Sequence, residues 1–159
     1  MEDLSLHVLD IAENSIRAKA SRIEIKVVED IKRDVLMIEI KDNGQGMDEK
    51  SIKRVIDPFF TTRTTRKVGL GLPLLSQAAR ESGGDFEIES KVGRGTRVKA
   101  TFGYSHIDRK PLGNMEATLT TLIAGNPDID FIYKHKKDDL EYRLDTKEIR
   151  ARIEKRATR

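Results

Sequence analysis

The run Asp42-Asn43-Gly44-Gln45-Gly46-Met47 decides how this chain is read. It follows a stretch, 35–41, that reads as a strand, so it is a turn leaving a sheet. Two glycines there let the backbone approach a flat ligand closely. A carboxylate beside that gap can accept a hydrogen bond from an exocyclic amine such as that of adenine. An ordinary Asn-Gly hairpin turn uses the same residues, so the hexapeptide has to be weighed with its surroundings.

Upstream, Leu4, Val8, Ile11, Ala12 and Ile16 recur at helical spacing and predict an amphipathic helix over 3–19, with Asp10, Glu13, Asn14 and Arg17 on its other face. Ile23, Ile25 and Val27 alternate with Glu24 and Lys26, the period of a half-buried strand. Downstream, Asp48 can cap a short helix bearing Ile52, Val55 and Ile56. Residues 57–68 show no period and read as a loop. A helix is predicted over 70–82, with Pro73 tolerable in its first turn and Gly83 ending it. Phe86 and Ile88 mark a strand, and Val98, Ala100 and Phe102 its hairpin partner across 93–95. This order predicts an α/β two-layer sandwich, a mixed sheet with helices on one face.

Two further clusters carry chemistry. Gly69-Leu70-Gly71-Leu72 opens a helix just after the basic, Thr-rich loop 61–67, and helix N-termini attract phosphate through free N–H groups and the helix dipole. A plain loop-to-helix turn would look alike. On the first helix, Asp10, Asn14 and Arg17 project from one face. A carboxylate, an amide oxygen and a guanidinium so grouped suit water activation, Mg²⁺ ligation and phosphate contact, although a solvated helix face is the commoner fate of such a cluster.

In order and spacing these motifs resemble the GHKL (Bergerat-fold) ATPase and kinase superfamily over residues 1–103. The run from Leu9 to Ile16 is similar to its N box as found in MutL mismatch-repair proteins, and so is the following Ala20-Ser21-Arg22-Ile23-Glu24-Ile25. The 42–47 run resembles the G1 box, and Asp57-Pro58-Phe59-Phe60-Thr61-Thr62-Arg63 the F box of sensor histidine kinases. Gly69-Leu70-Gly71-Leu72 resembles the G2 box, and Gly93-Arg94-Gly95-Thr96 the last glycine motif. The resemblance implies ATP and Mg²⁺ as cofactors. It implies that Asn14 binds Mg²⁺, Arg17 contacts phosphate, Asp42 reads adenine, and Gly44, Gly46, Met47 and Thr96 line or support the base. Gly69, Leu70 and Gly71 would close over the phosphates at the end of a lid, 59–68. Asp10 stands where hydrolysing members carry the longer Glu as general base, which implies slow hydrolysis. Lys67 stands where many kinases have glycine, so it is a candidate phosphate contact.

No segment resembles a dimerisation helix pair with a phosphoacceptor histidine. His7 reads as a helix-face residue, and His106 and His135 as surface side chains. The implied activity is therefore a kinase acting in trans on a His or Ser of a separate protein, or an ATPase. The alternative is a nucleotide-gated protein-binding module with little or no catalysis. Either reading expects a protein partner, and a homo-oligomer is compatible with both.

From residue 104 the character changes. A helix is predicted at 114–124, a hairpin from 129–134 and 140–144, and a final helix at 146–157. Residues 104–159 are read as an appended C-terminal α/β lobe, a candidate for partner recognition. Composition narrows the rest. Lys plus Arg number 30 against 27 Asp plus Glu, a near balance that does not suggest nucleic acid, and the basic end 147–159 reads as a solvated face. The lack of cysteine excludes thiolate metal sites and fits a reducing compartment. The acidic start lacks the form of a signal peptide, and no stretch approaches the ~20 apolar residues of a membrane span. The cytoplasm is the expected location.

Overall fold

The architecture comes from a computed structural model, which describes residues 3–57 and 71–157, with side chains to residue 151. Helix α1 (Leu4–Arg17) buries Leu4, Val8, Ile11 and Ala12, the apolar stripe of its sequence. Its first N–H groups have no partner within the helix. Those of Leu4 and Ser5 are met by the carbonyls of Pro111 and Leu112, both at 2.9 Å. The chain then enters strands β1 (Arg22–Asp30) and β2 (Val35–Asp42), joined by a turn in which Asp34 takes a φ of 58°.

Helix α2 (Glu49–Val55) starts at Asp48, whose side chain accepts from the Ser51 N–H. That bond, the largest influence on it, holds the Asp48 carboxyl below its usual value. Helix α3 (Gly71–Glu81) leads to strands β3 (Phe86–Lys91) and β4 (Gly95–Gly103). Helix α4 (Met115–Gly125), strands β5 (Asp130–Lys137) and β6 (Leu140–Asp145), and helix α5 (Thr146–Ala157) complete the chain.

All six strands form one sheet in the order β3-β4-β2-β1-β5-β6. Its pairs are antiparallel except β1 with β5, which run parallel. Helices α3 and α4 both pack on α1. Under them lie Ile23, Ile25 and Val27 of β1, Leu36, Ile38 and Ile40 of β2, and Val98, Ala100 and Phe102 of β4. The alternate residues face the other way and carry ion pairs, such as Arg97 with Glu39 at 2.8 Å and Lys134 with Glu24 at 3.4 Å. The expected two-layer mixed sandwich is what forms.

The segment after Gly103 shares this core. Met115, Leu119, Leu122, Phe131 and Tyr133 belong to the same buried cluster as α1 and β1, so residue 103 marks no break in the packing. Strand β5 also runs three residues past the expected 134, through the charged stretch His135–Lys137, because it stays paired with β1 as far as Glu29. Among the described residues, no helix is long and apolar enough to cross a membrane.

Candidate functional site

Asp42 is the last residue of β2, and strand register places Thr96 of β4 directly opposite it. The backbone beyond Asp42 is held close to its neighbours, and glycine is what permits this. A Cβ on Gly44 would lie 2.8 Å from the Ala18 carbonyl oxygen. Gly46 has a φ of +71°, and a Cβ there would fall 1.9 Å from the Lys91 carbonyl oxygen. Hydrogen bonds fasten the same turn, from Gln45 N to Ala18 O at 2.8 Å and from Gly93 N to Gln45 O at 2.6 Å. Asn43 points outward and accepts from the N–H groups of Ser21 and Arg22, both at 2.9 Å.

This turn is one wall of a pocket of about 210 Å³. Asn14, Arg17, Asp42, Gly46, Met47 and Thr96 all line it, so one volume gathers six of the residues picked from sequence. Ile40 and Val98 supply apolar surface beside Asp42 and Thr96, with Ile11, Val55 and Leu72 completing it. The Asp42 carboxylate is held from two sides. Ser15 Oγ donates to Oδ2 at 2.6 Å, and Gly44 N donates to Oδ1 at 2.9 Å. Each oxygen of a carboxylate keeps further acceptor capacity beyond one such bond, so the group is oriented yet still able to accept.

Thr96 is positioned by Ser90. The Ser90 hydroxyl donates to Gly95 O at 3.0 Å and accepts from Met47 N at 2.7 Å. With its single proton on Gly95, the 2.7 Å contact between Ser90 and Thr96 makes Thr96 the donor. At the other end, Arg17 Nη1 donates to Asn14 Oδ1 at 2.9 Å, and Glu13 lies 4.0 Å from the same guanidinium.

Other predicted residues fall differently. Asp10, half-buried one turn before Asn14, does not line the 210 Å³ volume. It lies against the start of α3, where a Cβ on Gly71 would come 2.8 Å from the Asp10 Cβ. Gly71 thus lets α1 and α3 meet closely. Lys67, Gly69 and Leu70, with the 59–68 lid and most of the F box, lie outside the described residues.

The histidines fall differently. His7 lies on α1, as expected, on its buried face at 1% exposure, whereas His135 differs from expectation. His135 is half-buried and bonded to Glu29 and Tyr133, because the parallel pairing sets it beside β1. His106 is exposed as expected. Sequence reasoning missed Ser15 and Ser90 as positioning residues. Ser15 sat inside the quoted N-box run, whereas nothing local links Ser90 to Met47, 43 positions away.

Comparison with known proteins adds to this geometry. A model of the family described as "Histidine kinase-, DNA gyrase B-, and HSP90-like ATPase" matches residues 2–106. The chain belongs to that family. It is an ATP-binding, kinase-like domain of that family. The sensor protein kinase FleS of Pseudomonas aeruginosa is 40% identical over 89 residues, which are 56% of this chain and 22% of that protein. The chain therefore spans about a fifth of that relative's length. Two solved structures share the fold over 91% of the chain, more than the family model spans. One is the N-terminal domain of a DNA repair protein (TM-score 0.61, 17% identity, 53% of that chain). The other is the Aquifex aeolicus MutL ATPase domain complexed with ADP (TM-score 0.52, 18% identity, 62% of that chain). Residues beyond 106 thus take part in a fold already known in this family's neighbours.

Proposed function

We propose that the pocket holds the adenine of ATP, with Asp42 accepting a hydrogen bond from its exocyclic amine. The observation that carries this reading is the two-sided fixing of the Asp42 carboxylate at the edge of an apolar pocket. The volume argues for the base alone. At about 210 Å³ it is below the ~300–1,000 Å³ that encloses a whole drug-sized ligand, so ribose and phosphates would extend out of it. The similar MutL ATPase domain, complexed with ADP, supports an adenine nucleotide.

In this reading Gly44, Gly46, Met47 and Thr96 shape the base site, and Arg17 contacts phosphate. Gly71 lies on the phosphate side, and Lys67, Gly69 and Leu70 are proposed as phosphate contacts. Asn14 would hold Mg²⁺ through Oδ1, an oxygen that suits a hard cation keeping several waters. Bound there, the ion would neutralise phosphate charge. Arg17 now donates to that oxygen and would turn to phosphate as the nucleotide enters.

The chemistry we assign is transfer of the γ-phosphate to a separate protein in the cytoplasm, with slow hydrolysis as the side reaction. Phosphoryl transfer is mostly positioning and electrostatic stabilisation, and the kinship with FleS over 56% of the chain supports the kinase side. Asp10 is the proposed base. Its place beside Gly71, on the phosphate side, suits that role, while a carboxylate one methylene shorter than Glu favours slow turnover and keeps a nucleotide-gated binding module as the second reading. Residues 104–159 are proposed to carry the partner contact, since none of the described ones lines the base pocket.

The test uses ATP labelled at the γ-phosphate. Purified chain alone should acquire no stable label, while a cell extract containing it should show a marked protein. Asp10→Asn should suppress hydrolysis and leave the ATP dissociation constant nearly unchanged, because a general base acts on water. Unchanged turnover in that variant removes Asp10 from the mechanism. No marked protein in any extract leaves the binding-module reading standing.

A further inference from the structure

A second cleft, of about 720 Å³, opens between α4 and strands β5 and β6. It shares no lining residue with the base pocket, and its volume suits a whole small ligand. One wall holds a hydrogen-bonded chain that the nucleotide reading does not use. Tyr104 O–H donates to Glu29 Oε1 at 3.1 Å, His135 Nε2 lies 2.7 Å from Glu29 Oε2, and the Tyr133 hydroxyl lies 2.7 Å from His135 Nδ1.

The Glu29 carboxylate sets the direction of this chain in the neutral tautomer. A carboxylate oxygen accepts, so Nε2 carries the hydrogen and Nδ1 is left to accept from Tyr133. Burial first, and then the Glu29 charge, push the Tyr133 phenol well above its ordinary 10, which keeps the proton on oxygen. Thr120 in the same cleft gives its hydroxyl proton to the Glu116 carbonyl at 2.8 Å. Tyr133 and Thr120 both line the cleft with oxygens that keep acceptor capacity, and the Glu116 side chain adds a carboxylate.

The first turn of α4 also borders the cleft. A bare helix start would favour an anion, but Glu116 already supplies negative charge there, and Asn114 Oδ1 caps the Ala117 N–H at 3.0 Å. Apolar surface comes from Tyr142, whose ring stands 6.1 Å from that of Tyr133, and from Leu119 on the helix side. Aromatic faces attract cations as well as apolar groups.

We propose that this cleft is a second ligand site, for a small organic cation with an apolar body. Its amine donates to Glu116 and the Tyr133 oxygen, and its body lies against Tyr142 and Leu119. The inference stands apart from the nucleotide reading.

Phenethylamine and phenylacetate test it, since they share a ring and differ in the sign of the charge. Titrated calorimetrically into the full chain, phenethylamine should bind and phenylacetate should bind at least tenfold more weakly. Glu116→Gln should weaken phenethylamine about tenfold, the scale of one charge-assisted hydrogen bond, and Tyr142→Ala should weaken it too. Both positions are exposed, so neither change should disturb folding or the ATP dissociation constant. Equal or tighter binding of phenylacetate overturns the proposal. So does the absence of phenethylamine binding up to about 20 mM, roughly twentyfold above a 1 mM dissociation constant, or an unchanged affinity in Glu116→Gln.

Discussion

Two recesses of the molecule are made in different ways. At the C-terminal half of α1, Ile11 to Ala18 form a wall of the 210 Å³ pocket, whose shape depends on backbone running against backbone at Gly44 and Gly46. At the N-terminal end of α1, the Pro111 and Leu112 carbonyls hold the helix, and beyond them the 720 Å³ cleft is walled by side chains from α4, β5 and β6. A recess shaped by backbone cannot adjust to an added atom, whereas one lined by exposed side chains can. The small pocket should therefore be intolerant of substitution and selective for one flat group, and the cleft tolerant and chemically looser.

The largest expected effect breaks the comparison by removing one side of it. Truncation after Gly103 strips β5 from β1 and uncovers α1. Met115, Leu119, Leu122 and Phe131 are each at most 5% exposed, and burial of such side chains contributes ~1.5–3 kcal/mol apiece, together ~6–12 kcal/mol. That approaches the ~5–15 kcal/mol of a whole domain, so the shortened chain should lack a cooperative thermal transition. A truncated chain that melts cooperatively and binds ATP would make residues 104–159 a separable lobe.

Next comes a pair of glycines with similar φ. Gly46 has a φ of +71° and backbone 1.9 Å from where a Cβ would sit, while Gly93 has a φ of +83° with nothing within 4 Å of that position. Gly93→Ala should cost only the ~1–2 kcal/mol of a left-handed alanine. Gly46→Ala should cost that and about 1–3 kcal/mol more for the forced shift, with loss of ATP binding. Chemical denaturation of the two variants checks it, and equal losses would mean that dihedral angle and not backbone contact governs this turn.

A smaller effect sharpens the account of the pocket. Ser15→Ala removes the 2.6 Å bond that orients Asp42. One such bond contributes about 1 kcal/mol, so ATP affinity should fall about fivefold while thermal stability changes little. An unchanged dissociation constant would show that Gly44 N alone suffices to aim the carboxylate.

The same contrast explains what the sequence could reveal. Backbone approach demands glycine at fixed places, so the base pocket was legible in the 42–47 run and in Thr96 after Gly95. The alternation of Ile23, Ile25 and Val27, and the helical spacing of Leu4, Val8 and Ile11, likewise announced which faces turn inward. The parallel pairing of β1 with β5 joins residues about a hundred positions apart and leaves no local signal. Without it His135 looked like a surface residue, and its bond to Glu29 was hidden. The charged run after Lys134 read as a loop because a strand near the sheet edge has water beside it and needs no alternation. The expected superfamily found its counterpart in the matching family model, and the fold in the MutL domain.

The central claim is that Asp42 reads the exocyclic amine of adenine, and nucleotide titration by calorimetry tests it most directly. The parent chain should bind MgATP and bind MgGTP poorly, because a 6-oxo group offers the carboxylate no donor. Asp42→Asn should weaken ATP roughly ten- to a hundred-fold, the worth of a ~1.5–3 kcal/mol hydrogen bond to a charged acceptor. An Asn variant that binds ATP as tightly as the parent, or a parent that binds GTP as tightly as ATP, would contradict the account.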